Sequence, residues 1–197
     1  VREIHRKYYQ PSNIVIVLVG DLEADSTIDV LERHFGAMKA DEGFRAPSML
    51  EENNTITKIE RTFEVEFPAQ PQVMLAFRKP SFPHKDDAVF TLLHELLAGG
   101  RSAKLIEELV YKKKLASSAY TTEAPGIRYE SVFIFGASPV QGKSIEELTA
   151  ELEKYVYAIG KTGFSENEIA EAKKRVIVGM LKGLVGNDGI AETLGQY

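Results

Sequence analysis

The 197-residue chain has no cysteine and no tryptophan. Without cysteine, neither a disulfide framework nor a thiolate metal site can form within it, and the compartment stays open. No apolar run approaches the roughly 20 residues that cross a bilayer as a helix. The chain does not open on a signal peptide. Histidine is scarce: His5, His34, His84 and His94. None stands in an H-x-x-E-H arrangement, and one imidazole alone does not grip zinc. His94-Glu95 runs on into Leu96-Leu97-Ala98, so His94 reads as a helix side chain on the polar edge beside Thr91. No metal site is expected among these residues. A strong charge of one sign is also missing. With 24 Lys+Arg against 29 Asp+Glu, the net charge is −5. Both signs are scattered, which argues against nucleic acid or an anionic membrane as a partner.

What is present is a globular composition, 44% hydrophobic and 27% charged. The centre is Ala88 to Tyr120. Val89, Phe90, Leu92, Leu93, Leu96 and Leu97 recur at helical spacing. Gly99 is expected to end that helix in the left-handed conformation. Ser102 is the candidate N-cap of the next helix, whose inward residues are Leu105, Ile106, Leu109 and Val110. Lys112, Lys113 and Lys114 suit a helix C-terminus. A strand is expected over Ala116 to Thr122.

Further strands are expected at Ile14 to Val19, a run apolar on both faces, and at Thr62 to Phe67, which alternates. Others are expected at Val73 to Phe77 and from Val132 to near Ala137. Asp25 or Ser26 should cap a helix presenting Ile28, Leu31 and Phe35. In the last third, Ser144 with Glu147 and Ser165 with Glu168 read as capping boxes, and Phe164 with Ile169 as a hydrophobic staple. A break is expected at Gly186-Asn187-Asp188-Gly189. From Thr62 the order is β-β-α-α-β-β-α-α. That points to an α+β fold: an antiparallel-rich mixed sheet with helices packed on one face.

Two motifs carry a resemblance. One is the turn Gly99-Gly100-Arg101-Ser102-Ala103-Lys104-Leu105. The other is Tyr8-Tyr9-Gln10-Pro11-Ser12-Asn13 followed by the run Ile14 to Val19 and Gly20-Asp21. Together and in this order they resemble the insulinase/pitrilysin-type (inverzincin) zinc metallopeptidases, which include mitochondrial processing peptidase and non-catalytic relatives. The resemblance implies an internal duplication, with the chain a C-terminal portion of a subunit. Residues 1–39 would end one unit, 40–55 would link, and 56–197 would form a second, non-zinc α+β unit, compact with 1–39 or apart from it. On this reading the orphan strand Ile14 to Val19 is expected to pair into the sheet of the second unit.

The family's H-x-x-E-H zinc helix precedes the Y-Y-x-P-x-N segment, so the resemblance puts zinc in the full-length parent, upstream of Val1, and none here. A later family segment, L-R-E-x-x-G-L-A-Y, carries an Arg and a Tyr that bind substrate. Aligned from Leu109, this chain has Val110 at the Arg position and Ser117 at the Tyr position. Neither can replace the lost donor. Tyr120 comes three residues late, and strand alternation alone would aim it at the other face. The implied role is a non-catalytic C-terminal domain of a peptide-hydrolysing zinc peptidase, forming a wall of the substrate chamber. The implied partners are a peptide substrate and a second subunit carrying the Arg/Tyr pair, or a second copy. The alternative is a non-catalytic scaffold of the same family. Exported bacterial relatives favour a periplasmic parent, with the cytoplasm as alternative.

Other candidates read more simply. Gly99 to Ser102 lacks the phosphate-loop spacing and reads as a turn. Asp86-Asp87 and Glu51-Glu52 are adjacent, so neither pair shares a helix face. Ser102 and Ser117 have no His or Asp set beside them by sequence.

Overall fold

A computed structural model describes residues 1–39, 62–66, 68–80, 82–124 and 131–196. They fall into two compact units, Thr62–Gly179 and Val1–Arg61 with Met180–Tyr197.

In the Thr62–Gly179 unit, β1 (Val73–Lys79), β2 (Ala116–Ala124) and β3 (Ser131–Pro139) form an antiparallel sheet in the order β1-β3-β2. Register runs Leu75↔Phe135 on one side of β3 and Thr121↔Phe135 on the other. Alternation sorts the side chains. Phe133, Phe135, Ala137, Ala119 and Thr121 are buried under helices, with Leu97 of α3 (Asp87–Ala98), Leu105 of α4 (Lys104–Ile106), Leu109 of the helical stretch that follows it, and Leu148 and Leu152 of α5 (Ile145–Thr162). Each fully buried leucine contributes about 1.5–3 kcal/mol. α4 is one α turn, Lys104–Ile106, that widens into a π-helical stretch, Glu107–Lys112. The backbone N–H of Lys113 donates to the Glu108 carbonyl at 2.9 Å and that of Leu115 to Leu109 at 3.0 Å.

The capping boxes take their expected places. Ser144 Oγ accepts from the Glu147 N–H at 3.0 Å and starts α5. Ser165 and Glu168 exchange bonds at 2.8 and 3.3 Å at the start of α6 (Glu166–Gly183). Phe164, before the cap, packs on the core.

The fold is α+β with helices on one face of the sheet, as the pattern predicts, but four local expectations change. Residues 62–66 have no ladder partner among the described residues and are exposed, with Phe63 at 78% and Val65 at 81%; Phe67 lies outside the described residues. Gly99 ends α3 with φ −73°, and the positive φ falls on Gly100 at 145°. The N-cap of α4 is Ala103, not Ser102. Val89 is exposed, because the inward stripe of α3 runs through Phe90, Leu93 and Leu97.

The other unit contains α1 (Arg2–Tyr8), a 3-10 turn at Pro11–Asn13, α2 (Ala24–Phe35) and α7 (Asn187–Gln196). The N-cap of α2 is Glu23 rather than Asp25 or Ser26; the Ser26 hydroxyl donates to the Glu23 carbonyl at 3.2 Å. α7 begins at Asn187, so the expected break closes at Gly186. Ile14 to Val19 forms no strand and joins no sheet among the described residues, and Val15 is 82% exposed. The expected pairing into the β1-β3-β2 sheet within the chain is overturned. Apolar β-branched composition makes a segment fit for a strand, but a ladder needs an opposing backbone. Ile16, Leu18, Leu22, Ile28, Leu31, Ile190 and Leu194 line a shallow apolar groove in this unit. Among the described residues, no helix is long and apolar enough to cross a membrane.

Candidate functional site

Alternation that buries one face of the sheet leaves the other bare. Across β1, β3 and β2 the outward rows are Met74, Gly136 and Tyr120; Ala76, Ile134 and Thr122; Arg78, Val132 and Ala124. Met74 is 50% exposed, Ala76 and Thr122 are exposed, and Ile134, Val132 and Tyr120 are half-buried. The helices pack on the opposite face, around Phe133 and Phe135.

The register shifts between Ala116 and Ser118, leaving Ser117 as an extra residue. Such a bulge resets the alternation. Ala116 and Ala119 both point inward although three residues apart. Tyr120 therefore shares the bare face with Ser118, and parity counted from Ser117 does not describe it. Its ring lies over Gly136, its cross-strand partner, so closely that a Cβ there would run into the ring. Its hydroxyl donates to Gln72 Oε1 at 3.2 Å.

Ser117 is exposed at the bulge, and its hydroxyl donates to the carbonyls of Ser138 and Pro139, each at 3.3 Å. Val110 is half-buried in the π-helical stretch and packs on the core. Lys114 takes φ 53°. That is a backbone conformation glycine adopts without the Cβ strain a lysine meets. Arg101 and Ser102 are exposed in the turn after Gly99 and Gly100. The turn is steadied by the Ala103 N–H donating to the Gly100 carbonyl at 3.0 Å. In the last turn of α3, Glu95 accepts from Arg175 Nε of α6 at 2.5 Å.

Two polar clusters have no local signal in the sequence, since their members come from separate elements. Lys79 is buried, with its ammonium 3.2 Å from Asp87 and 2.8 Å from Glu123, and 5.3 Å from the Phe90 ring centroid. Burial works to lower the Lys79 pKa, but the hydrogen bonds and charges of Glu123 and Asp87 outweigh it and raise it. The His84 backbone N–H, at 2.6 Å, is the main cause holding the Asp87 carboxyl below its usual range. The second cluster joins α4, α5 and α6. Lys104 pairs with Glu168 at 2.6 Å and lies 5.4 Å from the Phe164 ring centroid, and its carbonyl accepts from the Tyr155 hydroxyl at 2.9 Å. The bond from Lys104, then those from Ser165, bring the Glu168 pKa down to about 2. Burial, then Glu108, Glu107 and Glu168, pushes Tyr155 up to about 12. Lys113 pairs with Glu151 and ties α4 to α5, so the lysine run does more than solvate a helix end.

The histidines are spread over separate structures. His5 stacks on Tyr9 at 4.5 Å, His34 lies in the last turn of α2, and His84 Nδ1 lies 3.5 Å from Asp86. His94 reaches Thr121 Oγ1 at 2.7 Å rather than resting beside Thr91. Among the described residues no three His, Cys, Asp or Glu side chains are grouped to hold a metal ion, so they do not fit zinc.

The family model described as "Peptidase M16 inactive domain" matches residues 1–176. A curated relative, zinc protease PqqE of Helicobacter pylori, is 27% identical over the whole of this chain and 44% of its own length. A zinc protease of Bacillus subtilis, YmxG, is 23% identical over 89% of this chain and 41% of its own length. The chain thus spans under half the length of these curated relatives. The crystal structure of a protease from Helicobacter pylori matches with a TM-score of 0.74 at 24% identity, over all of this chain and 48% of that one. The crystal structure of a peptidase M16 inactive domain from Pseudomonas fluorescens matches with a TM-score of 0.65 at 22% identity, over 89% of this chain and 40% of that one. At these identities the two structures speak for the fold.

Proposed function

Since the chain belongs to the peptidase M16 inactive-domain family, we infer that it is the non-catalytic C-terminal domain of a zinc-dependent peptidase, and that the bare face of its sheet is one wall of the chamber holding the peptide. The observation that carries this reading is the asymmetry of the sheet. Helices cover the face of Phe133 and Phe135, while Met74, Ala76 and Thr122 stay open on the other. A half-apolar, half-hydroxylic surface suits an extended peptide, whose side chains are mixed and whose main chain is polar. Zinc and its general base belong to another part of the parent, since the residues described here do not fit the ion. The parent works with a second subunit bearing the Arg/Tyr pair, or with a second copy.

The chain has no native cysteine, so a single one can be placed in this domain of the full-length parent. Thr122→Cys on the bare face and Glu153→Cys on the exposed side of α5 would each carry a photoreactive maleimide. An uncleavable peptide should crosslink at Thr122 and not at Glu153. Equal labelling at both, or none at Thr122, overturns the wall. The isolated domain should show no peptide cleavage in a quenched-fluorescence assay and retain no zinc after dialysis.

A second reading, a non-catalytic scaffold, draws on Val110 and Ser117, which leave the domain without the family's substrate-binding pair. The parent sequence before Val1 separates the two readings. H-x-x-E-H there supports the peptidase, and its absence supports the scaffold.

A further inference from the structure

On the bare face Tyr120 and Gln72 form a polar pair with defined geometry. Three observations fix it. The Tyr120 ring rests on the backbone of buried Gly136, where no other residue leaves room for it. The bulge at Ser117 places that ring outward. The phenolic proton goes to Gln72 Oε1 at 3.2 Å, just ahead of β1. With its proton so committed, the phenolic oxygen offers lone pairs, while the Gln72 amide still has two N–H donors. Among the described residues Gln72 has no other partner. An acceptor and a donor side by side are the complement of one residue of an extended main chain, whose own N–H and C=O, from adjacent amides, point to the same side. In the same and next outward rows lie Met74 and Ile134, and none of the outward residues of the three strands is a carboxylate.

We propose that Tyr120 and Gln72 position the peptide main chain, the phenolic oxygen accepting from one peptide N–H and the Gln72 amide donating to a neighbouring carbonyl, with an apolar peptide side chain lying over Met74 and Ile134. The occupant is an extended, apolar stretch of the peptidase substrate. The pair touches no reacting atom; it sets the register of the peptide. This assignment rests on the chamber-wall reading.

The test uses the full-length peptidase and a fluorogenic peptide. Tyr120→Phe keeps the ring on Gly136 and removes the oxygen; Gln72→Leu removes the amide. Each should raise KM roughly fivefold, the size of one neutral hydrogen bond, with kcat, zinc content and melting temperature unchanged. A structural role would move the melting temperature instead. A series of substrates with one amide at a time replaced by an ester adds an independent readout. At one position the ester should cost wild type the same factor and cost Tyr120→Phe nothing further. Peptide crosslinking at Thr122→Cys together with wild-type KM in both variants overturns the assignment and leaves the wall standing. Absence of that crosslink overturns both. A melting temperature that falls in Tyr120→Phe, or a kcat loss equal to the loss in kcat/KM, also overturns it.

Discussion

Lys79 Nζ lies 2.8 Å from Glu123 Oε2, although 44 residues separate them in sequence. The pair joins the end of β1 to the far end of β2, and Asp87 extends it to the first turn of α3. A buried cation left alone is costly, whereas replacing it by an apolar side chain of similar length is often neutral. Asp87→Asn with Glu123→Gln should therefore destabilise the domain more than loss of the cation itself does. Lys79→Met should cost about 1 kcal/mol or less. Urea denaturation of the two variants checks the order, and a larger loss in Lys79→Met would refute it.

Lys114 holds φ 53°, in the left-handed region. A side chain there costs about 1–2 kcal/mol, and glycine returns part of the gain through its freer unfolded chain. Lys114→Gly should stabilise the domain by about 0.5–1 kcal/mol, seen as a rise of a few degrees in a calorimetric scan.

Two groups set the pH limits of the junction between α4, α5 and α6. Glu168 falls from an ordinary value of 4.5 to about 2 in the folded chain. A depressed carboxyl contributes stability above its unfolded pKa and loses it as pH falls through its folded pKa. Unfolding midpoints should therefore drop between pH 4.5 and about 2, and Glu168→Gln should flatten that slope. Tyr155 rises from 10.0 to about 12. Its contribution is present below pH 10 and fades as pH climbs toward 12, and Tyr155→Phe should remove that alkaline limb. Denaturation series at both extremes measure the slopes.

Val110 and Ser117, the expected Arg and Tyr positions of the family pattern, sit in unlike places in the fold: Val110 packs on the core and Ser117 is exposed at the bulge. Val110→Arg brings a guanidinium against the core and should cost about 1–3 kcal/mol. Ser117→Tyr adds a ring at an exposed bulge and should stay within about 0.5 kcal/mol. Thermal melts of the single variants read this directly, and equal losses would contradict the placement.

Local features were already legible in the order of residues. Ser144 and Ser165 mark helix starts because a hydroxyl reaches the N–H three residues on wherever the chain runs next. The alternation of β3 and the stripe of α5 set a sheet with helices on one face, because period and burial are tied by covalent geometry. The glycine turn and the Y-Y-x-P-x-N segment carried the family. Tertiary structure alone decided the rest. Ile14 to Val19 has the composition of a buried strand and no ladder, since pairing depends on a neighbour that composition does not supply. One extra residue at Ser117 turned Tyr120 to the bare face, and a bulge is a relation between two strands. Lys79 reads as a surface lysine until Asp87 and Glu123 are brought to it from two other elements, because a charge is buried only where the fold delivers its partners.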